Sequence, residues 1–171
     1  VLGRRVHDGV GAQFQRTLVS FDSRYDRAQR GEGSLSEAET RGAAIFFGET
    51  GDCFHCHGTV LFTDQRFHDI GLDAEPVRRG RADVTGDPAD VGAFKTPTLR
   101  NVALTAPYMH DDRYETLEEV VDFYSDGLQD SPNVDPLMRN VAGGGFGLTA
   151  EQKADLVAFL RTLTDRAFTE N

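Results

Sequence analysis

The chain has 171 residues, enough for one domain with a substantial core. Acidic residues outnumber basic ones by 28 to 18, and the formal net charge of −10 argues against nucleic acid or an anionic membrane surface as a partner. No stretch approaches the roughly 20 apolar residues that a membrane-crossing helix needs.

Local sequence signals predict four helices in chain order. The sequence of residues 10–19 is typical of the interior of a helix. The other three helices begin at capping boxes, in which a Ser or Thr is followed three residues later by Glu or Gln. These boxes start at Ser36, Thr116 and Thr149, and the helix after Ser36 is expected to end near Gly48.

The segments between these helices are irregular. Residues 58–98 are rich in Gly, Asp, Arg and Pro and show no sustained alternation that would indicate strands. Residues 131–147 form a second predicted loop. Long loops in a compact domain usually have a function or wrap a bound group. The predicted class is therefore mostly α, with few or no strands.

The only two cysteines lie in the sequence Cys53-Phe54-His55-Cys56-His57. The pattern C-x-x-C-H attaches a c-type haem, because the two thiols add to the porphyrin vinyl groups and the adjacent imidazole binds the iron. A thioredoxin-like redox pair should follow a strand in a βαβ unit, and no such alternation is present. A zinc site needs a second pair of ligands, whereas the remaining histidines are scattered.

This motif completes the predicted fold, a c-type cytochrome domain whose long irregular loops wrap one haem. Such haems are attached outside the bacterial cytoplasm, so we expect a periplasmic protein whose leader has been removed. With both thiols bonded to haem, no disulfide is expected.

Blocks of sequence along the chain resemble the bacterial di-haem cytochrome c peroxidases, above all their MauG-like branch. The resemblance runs from about residue 10 to the end, and two blocks carry most of it: residues 94–111, FKTPTLRNVALTAPYMHD, and residues 116–124, TLEEVVDFY. Shorter blocks belong to the same pattern: residues 14–20, 23–26, 61–64, 67–68 and 156–163.

The family has two haem domains, each with its own C-x-x-C-H, and this chain has one such motif. The resemblance assigns residues 31–171 to the C-terminal cytochrome c domain and residues 1–30 to the helix and linker that join it to the N-terminal domain. We expect the N-terminal haem domain, where peroxide binds, to lie on residues outside this sequence. A single-haem relative is the alternative.

The second axial ligand of the iron has three candidates. Periodicity alone makes Tyr124 a core residue on an amphipathic helix, but the resemblance places it where the peroxidases have an axial Met and the MauG-like branch an axial Tyr. Met109 would follow the electron-transfer cytochromes. Met138 lies in a loop and has only its residue type in its favour.

A tyrosine ligand has an energetic consequence. A free phenol titrates near ~10, so a phenolate at neutral pH needs a pKa lowered by about 3 units, or ~4 kcal/mol. Ferric iron bonded to the oxygen can supply this free energy. Because an anionic ligand lowers the reduction potential, such a haem suits the sharing of oxidising equivalents that the resemblance implies.

The resemblance also implies supporting sites. A calcium ion lies between the two haems in the family, held partly by main-chain carbonyls at positions equivalent to Thr105 and Pro107, and carbonyl oxygens suit so hard a cation. Lys95 and Arg100 are candidate catalytic residues that neutralise propionates or carry the route between haems, with plain surface charge as the alternative.

For the remaining polar residues we expect structural roles or exposure to solvent. His68 and His110 are expected to make structural hydrogen bonds. Residues 78–81 hold the chain's only basic cluster, most simply a solvated loop. Asp112 stands where the family usually has Gly, at a turn that favours positive φ.

The predicted protein is a periplasmic, peroxidase-type di-haem oxidoreductase in which this chain carries the haem that stores or relays electrons. Its expected partners are an N-terminal haem domain, hydrogen peroxide, and a redox donor or protein substrate. The alternative is a stand-alone mono-haem electron-transfer cytochrome c.

Overall fold

The structure, a computed structural model, describes residues 11–138 and 140–169; the start of the predicted helix at residue 10 lies outside them. Its α-helices, in chain order, are α1 (residues 11–17), α2 (Arg24–Gln29), α3 (Glu37–Phe47), α4 (Phe54–His57), α5 (Ala82–Thr85), α6 (Leu117–Asp126) and α7 (Ala150–Arg161). Two strands of two residues each are β1 (Phe67–His68) and β2 (Phe94–Lys95).

The capping boxes set the helix starts as the sequence indicated. Ser36, Thr116 and Thr149 are the N-caps of α3, α6 and α7, and each side chain accepts a hydrogen bond from the main-chain N–H three residues on. Helix α3 ends at Phe47, with Gly48 as its C-cap. Each box satisfies main-chain donors that would otherwise lack a partner at the helix start.

The segment 58–98, expected to be loop throughout, contains small pieces of regular structure. Strands β1 and β2 pair antiparallel with Phe67 opposite Lys95, and α5 lies between them in the chain. These pieces are too short for a periodic signal to appear in the sequence. The mostly-α prediction is confirmed, with one two-stranded sheet.

Helices α3 and α7 cross in close contact at Gly42. A Cβ atom on Gly42 would collide with the main-chain carbonyl of Asp155 and would lie 2.8 Å from the Cβ of Phe159. Beside this crossing, the Arg41 guanidinium donates two hydrogen bonds, of 2.7 and 2.8 Å, to the buried Asp155 carboxylate. The two helices can therefore approach closely only because residue 42 has no side chain.

The main core lies around this crossing. Helix α7 also contacts α6, so the last helix touches both of the other long helices. Aromatic rings fill the space next to α3, where Phe46 and Phe159 have ring centroids 5.1 Å apart. The buried members of this core come from several elements: Ile45, Phe46, Phe62, Val102, Leu117, Val121, Leu148, Leu156, Val157, Phe159, Leu160 and Leu163.

None of the helices in the described parts of the chain has the length and apolar character that a bilayer crossing requires.

We predict that Gly42→Ala destabilises the haem-loaded protein by about 1–3 kcal/mol, because the added methyl group forces the crossing helices apart. At an exposed helical position the same change would instead stabilise the helix by up to ~1 kcal/mol. Urea denaturation measures the free energy of unfolding. Gly33→Ala is the matched control, since no atom lies within 4 Å of its Cβ position. An equal effect in both variants would contradict the close crossing.

Candidate haem site

The C-x-x-C-H sequence lies at a single helical turn just after α3. Cys53 is the N-cap of α4, and the His57 N–H donates a 2.9 Å hydrogen bond to the Cys53 carbonyl. Residues three apart on a helix share a face, so this turn places Cys53 and Cys56 side by side, with His57 next to them. This is the arrangement that attachment through two thiols and one imidazole requires.

The two thiols are held in their neutral form. Burial raises the pKa of Cys53 to about 12, with a further contribution from the Asp52 carboxylate. Burial also raises the pKa of Cys56 to about 11. A redox-active C-x-x-C pair needs a lowered thiol pKa, and a zinc site binds thiolates. This environment therefore argues against a redox-active pair, whereas a bound zinc ion would itself ionise the thiols.

His57 presents one ring nitrogen to the protein and leaves the other available. Its Nδ1 donates a 2.8 Å hydrogen bond to the Phe62 carbonyl, which fixes the tautomer with a lone pair on Nε2. Burial lowers the pKa of His57, although the Phe62 carbonyl opposes that effect. A neutral imidazole with a fixed tautomer is what an iron ligand needs.

The main chain that accepts this hydrogen bond is itself held in place. Three successive carbonyls, of residues 60–62, are bound by three successive residues, 98–100. Arg100 donates to the Val60 carbonyl at 2.8 and 3.1 Å, and the Thr98 hydroxyl donates to the carbonyl of residue 61 at 2.5 Å. The main-chain N–H of residue 99 donates to the Phe62 carbonyl at 3.3 Å. Residues 98–100 therefore hold the short segment that accepts the His57 hydrogen bond.

Arg100 is the buried centre of this arrangement. It forms two hydrogen bonds with the Asp26 carboxylate, at 2.8 and 3.0 Å, and lies 4.1 Å from the Phe21 ring centroid. Burial opposes ionisation of Asp26, but hydrogen bonds from Arg100 and Ser23 outweigh it and hold the pKa of that carboxyl below its usual value. We call the Asp26–Arg100 pair and its bonds to Val60 the arginine clamp.

Tyr124 lies in a second apolar cluster, separate from the core at the helix crossing. Both alternative ligands belong to this cluster as well, with Met138 buried and Met109 half-buried. The remaining members are Ile70, Leu72, Tyr114, Phe123, Leu128, Val134 and Phe146. The structure thus places all three sequence candidates for the second ligand in one apolar cluster.

The Tyr124 side chain is half-buried and lies near the cysteines. Burial raises its pKa well above the usual value for tyrosine, and the nearby Cys53 and Cys56 sulfurs act in the same direction. Within residues 11–138 and 140–169, no group forms a hydrogen bond with the Tyr124 hydroxyl. A phenol among apolar side chains normally finds a polar partner. The ligand role of Tyr124 stays a prediction.

His68 bridges two acidic side chains at the edge of the site. Its Nδ1 lies 2.6 Å from Asp135 and its Nε2 lies 2.9 Å from Asp64. Burial disfavours the charged ring, but the two carboxylates raise the pKa of His68 above its ordinary value. Ligand atoms of Cys56, Asp64 and His68 lie within 4.8 Å of one another. Because both ring nitrogens are engaged, His68 ties together two loops, in agreement with its predicted structural role.

Lys95 belongs to strand β2, and His110 contacts Phe94 of the same strand. Lys95 is exposed, and His110 stacks on the Phe94 ring with centroids 3.7 Å apart and planes 7° from parallel. Asp112 has φ +61° and Met109 has φ +70°, so the turn at 109–112 adopts the left-handed conformation with no glycine. The catalytic role predicted for Lys95 and Arg100 stays a prediction, and the geometry of Arg100 favours a positioning role.

The predicted calcium ligands lie in an exposed segment. Thr105 and Pro107 are both exposed, and the Thr105 hydroxyl donates to the Val102 carbonyl at 3.0 Å. In the described part of the chain, neither the Thr105 nor the Pro107 carbonyl accepts a hydrogen bond. These oxygens are available to a cation, and calcium stays a prediction.

Paired thiols on one helical turn and an adjacent imidazole of fixed tautomer are the features of a c-type cytochrome. The cytochrome c family profile matches residues 39–164, and the chain belongs to that family. Haem c is accordingly its cofactor.

Named relatives are longer than this chain. It is 41% identical over 164 residues to the methylamine utilization protein MauG of Methylorubrum extorquens, covering 95% of this chain and 45% of that protein. The crystal structure of a MauG-like protein associated with microbial copper homeostasis superposes with a TM-score of 0.83 at 42% identity, covering 92% of this chain and 52% of that one. The diheme peroxidase BthA of Burkholderia thailandensis gives a TM-score of 0.68 at 27% identity, with coverages of 88% and 48%. The chain therefore spans about half the length of these relatives.

Sequence reasoning missed the arginine clamp and the α2 helix that carries Asp26. Helix α2 has its own capping box, in which Ser23 accepts from the Asp26 N–H and Asp26 accepts from the Ser23 N–H. The pattern of Ser followed three residues later by Asp is a recognised start signal, so α2 could have been found. The Asp26–Arg100 pair joins residues 74 positions apart, and no local pattern reports such a contact.

We predict that Arg100→Gln costs about 3–5 kcal/mol of unfolding free energy, because it leaves the Asp26 carboxylate buried without its cation. Denaturant titration of the haem-loaded protein measures this loss. The variant should also alter the ferric haem spectrum, since the carbonyls that orient His57 lose a support. Asp26→Asn combined with Arg100→Gln should cost less than the sum of the two single changes.

The matched control is Arg161→Gln, which breaks an exposed 2.7 Å ion pair with Glu118. That variant should keep the wild-type spectrum and nearly the wild-type stability. Additive costs in the double variant, or a spectrum that does not respond to Arg100→Gln, would contradict the positioning role of the arginine clamp.

Proposed function

We propose that this chain is the C-terminal haem domain of a di-haem, peroxidase-type oxidoreductase of the MauG-like branch. In this proposal Cys53 and Cys56 would attach one haem c, and His57 and Tyr124 would supply the protein ligands of its iron. When bound, haem c supplies a centre that gains or loses one electron at a time. The observation that carries the proposal is the Tyr124 phenol, which lies in an apolar cluster near the two cysteines and has no hydrogen-bond partner among the described residues.

The protein's own residues favour Tyr124 over the two methionines. The phenol is a polar group in an apolar cluster with no hydrogen-bond partner in the described residues, whereas a thioether is satisfied by apolar packing alone. Burial raises the pKa of Tyr124, so the phenolate forms only if the bound iron supplies more than the ~4 kcal/mol that a free phenol would need. Ionisation of Tyr124 is therefore coupled to iron binding, which lowers the reduction potential of the site.

The proposal for the whole protein rests on its relatives. The chain is similar over nearly all its length to about half of a MauG protein and of a structure described as a diheme peroxidase. We infer that the other half carries the second haem and the peroxide reaction, and that calcium is bound at the domain junction by the Thr105 and Pro107 carbonyls. The expected location is the periplasm, with a redox donor or a protein as the reaction partner.

A mono-haem electron carrier is the second candidate, favoured by the match of the cytochrome c family profile to residues 39–164. The two functions differ in what the purified haem-loaded chain does alone. A carrier should exchange electrons rapidly with small redox dyes at a positive potential. The proposed domain should resist mild reductants, because an anionic ligand stabilises the ferric state.

We predict that Tyr124→Phe changes the ferric optical spectrum and raises the reduction potential, because the iron loses an anionic ligand. Spectroelectrochemical titration of the haem-loaded protein measures both. Tyr114→Phe is the matched control, since it removes a phenol oxygen from the same cluster. Met109→Leu and Met138→Leu should both keep the wild-type spectrum. A Tyr124→Phe spectrum identical to wild type, or a methionine-dependent change, would overturn the assignment.

A further inference from the structure

A surface groove beside the β1–β2 sheet is not used by the haem site. It has a volume of about 720 Å³ and is lined by residues 77–81 and 83–84, by residues 93–95 and by Phe67. We call it the basic groove. It contains the Arg78–Arg81 cluster that the sequence suggested to be a solvated loop, together with Lys95 from β2.

The charge of the basic groove is opposite to that of the chain. Four basic side chains line it, against the single carboxylate of Asp83, in a chain of net charge −10. Arg79 lies 3.5 Å from Asp83, and Arg81 lies 3.2 Å from Asp90. Arg78 and Lys95 are exposed and form no ion pair within the described residues. The groove is thus a local cationic site on an anionic protein.

Apolar side chains stand among these cations. Val77 is 90% exposed and Val84 is 89% exposed, and both line the groove. Phe67 is 40% exposed, and the Arg81 guanidinium lies 5.0 Å from its ring centroid. Exposed apolar side chains rimmed by charges are typical of protein interaction sites, and Arg is enriched at such sites.

The basic groove is connected to the haem site through one pair of stacked rings. Phe94 lines the groove and stacks on His110 at 3.7 Å. His110 follows Met109, which packs in the same apolar cluster as Tyr124. A molecule bound in the groove is therefore separated from the haem cluster by few packed side chains.

We propose that the basic groove is the docking site of an acidic protein partner. Carboxylates of the partner pair with the groove's cations, and apolar side chains of the partner pack on Val77 and Val84. Exposed valines offer nothing to a polyphosphate. A local groove fits an acidic patch on a folded partner, whereas an extended nucleic acid or an anionic bilayer would also meet the acidic remainder of the chain, which repels it. That this partner exchanges electrons with the haem rests on the proposed function, whereas the docking itself does not.

The test uses the haem-loaded chain and a synthetic peptide in which Glu alternates with Leu, titrated by calorimetry at low ionic strength. We expect saturable binding that weakens as salt is added. Arg78→Glu combined with Arg79→Glu should weaken it about tenfold. Val77→Ser combined with Val84→Ser should weaken it by about twofold to fivefold at unchanged charge.

The matched control is Arg16→Glu combined with Arg166→Glu, which makes the same change in net charge at exposed positions outside the groove. It should change the affinity by less than about twofold. Equal losses in the groove and control variants would overturn the proposal, as would tighter binding to phosphatidylglycerol vesicles than to the peptide. All variants should keep the wild-type ferric spectrum, so failure of docking is distinguishable from failure of the haem assignment.

Discussion

The close crossing of α3 and α7 at Gly42 is the constraint on which the site depends. Helix α3 leads through a short turn into the C-x-x-C-H motif, and α7 packs on α6, which carries Tyr124. Both proposed iron ligands are therefore positioned relative to one helix contact that tolerates no side chain. A close-packed interior transmits displacement rather than absorbing it. We therefore expect a displacement at Gly42 to reach both sides of the site.

The two sides of the site are stabilised by different means. On the His57 side, the arginine clamp holds a run of main-chain carbonyls, so a buried ion pair fixes the direction of a hydrogen bond to the imidazole. Such a pair adds little net stability and is costly to break, which makes it suited to fixing one conformation. On the Tyr124 side the packing is apolar, and the phenol lacks polar support from the described protein. The protein's own hydrogen bonds thus orient the histidine, whereas ionisation of the tyrosine depends on the bound iron.

Local chemistry made much of this structure predictable. Capping boxes act within four residues, and they located α3, α6 and α7 correctly. The C-x-x-C-H motif identified the cofactor because its chemistry is contained in five adjacent residues. Contacts between distant segments gave no such signal: Arg100 was recognised as a charge, but its partner Asp26 and the carbonyls that it holds depend on the folded chain. Tyr124 was selected by resemblance, since its periodicity is that of any core residue.

The central claim is that Tyr124 would supply an oxygen ligand to the haem iron in addition to His57. Resonance Raman spectroscopy of the ferric haem-loaded chain, prepared with ring-deuterated tyrosine, tests it most directly. The account predicts iron–phenolate bands that shift with the label. A spectrum without label-sensitive bands, together with a methionine-to-iron charge-transfer band in the near infrared, would contradict it and place Met109 or Met138 on the iron.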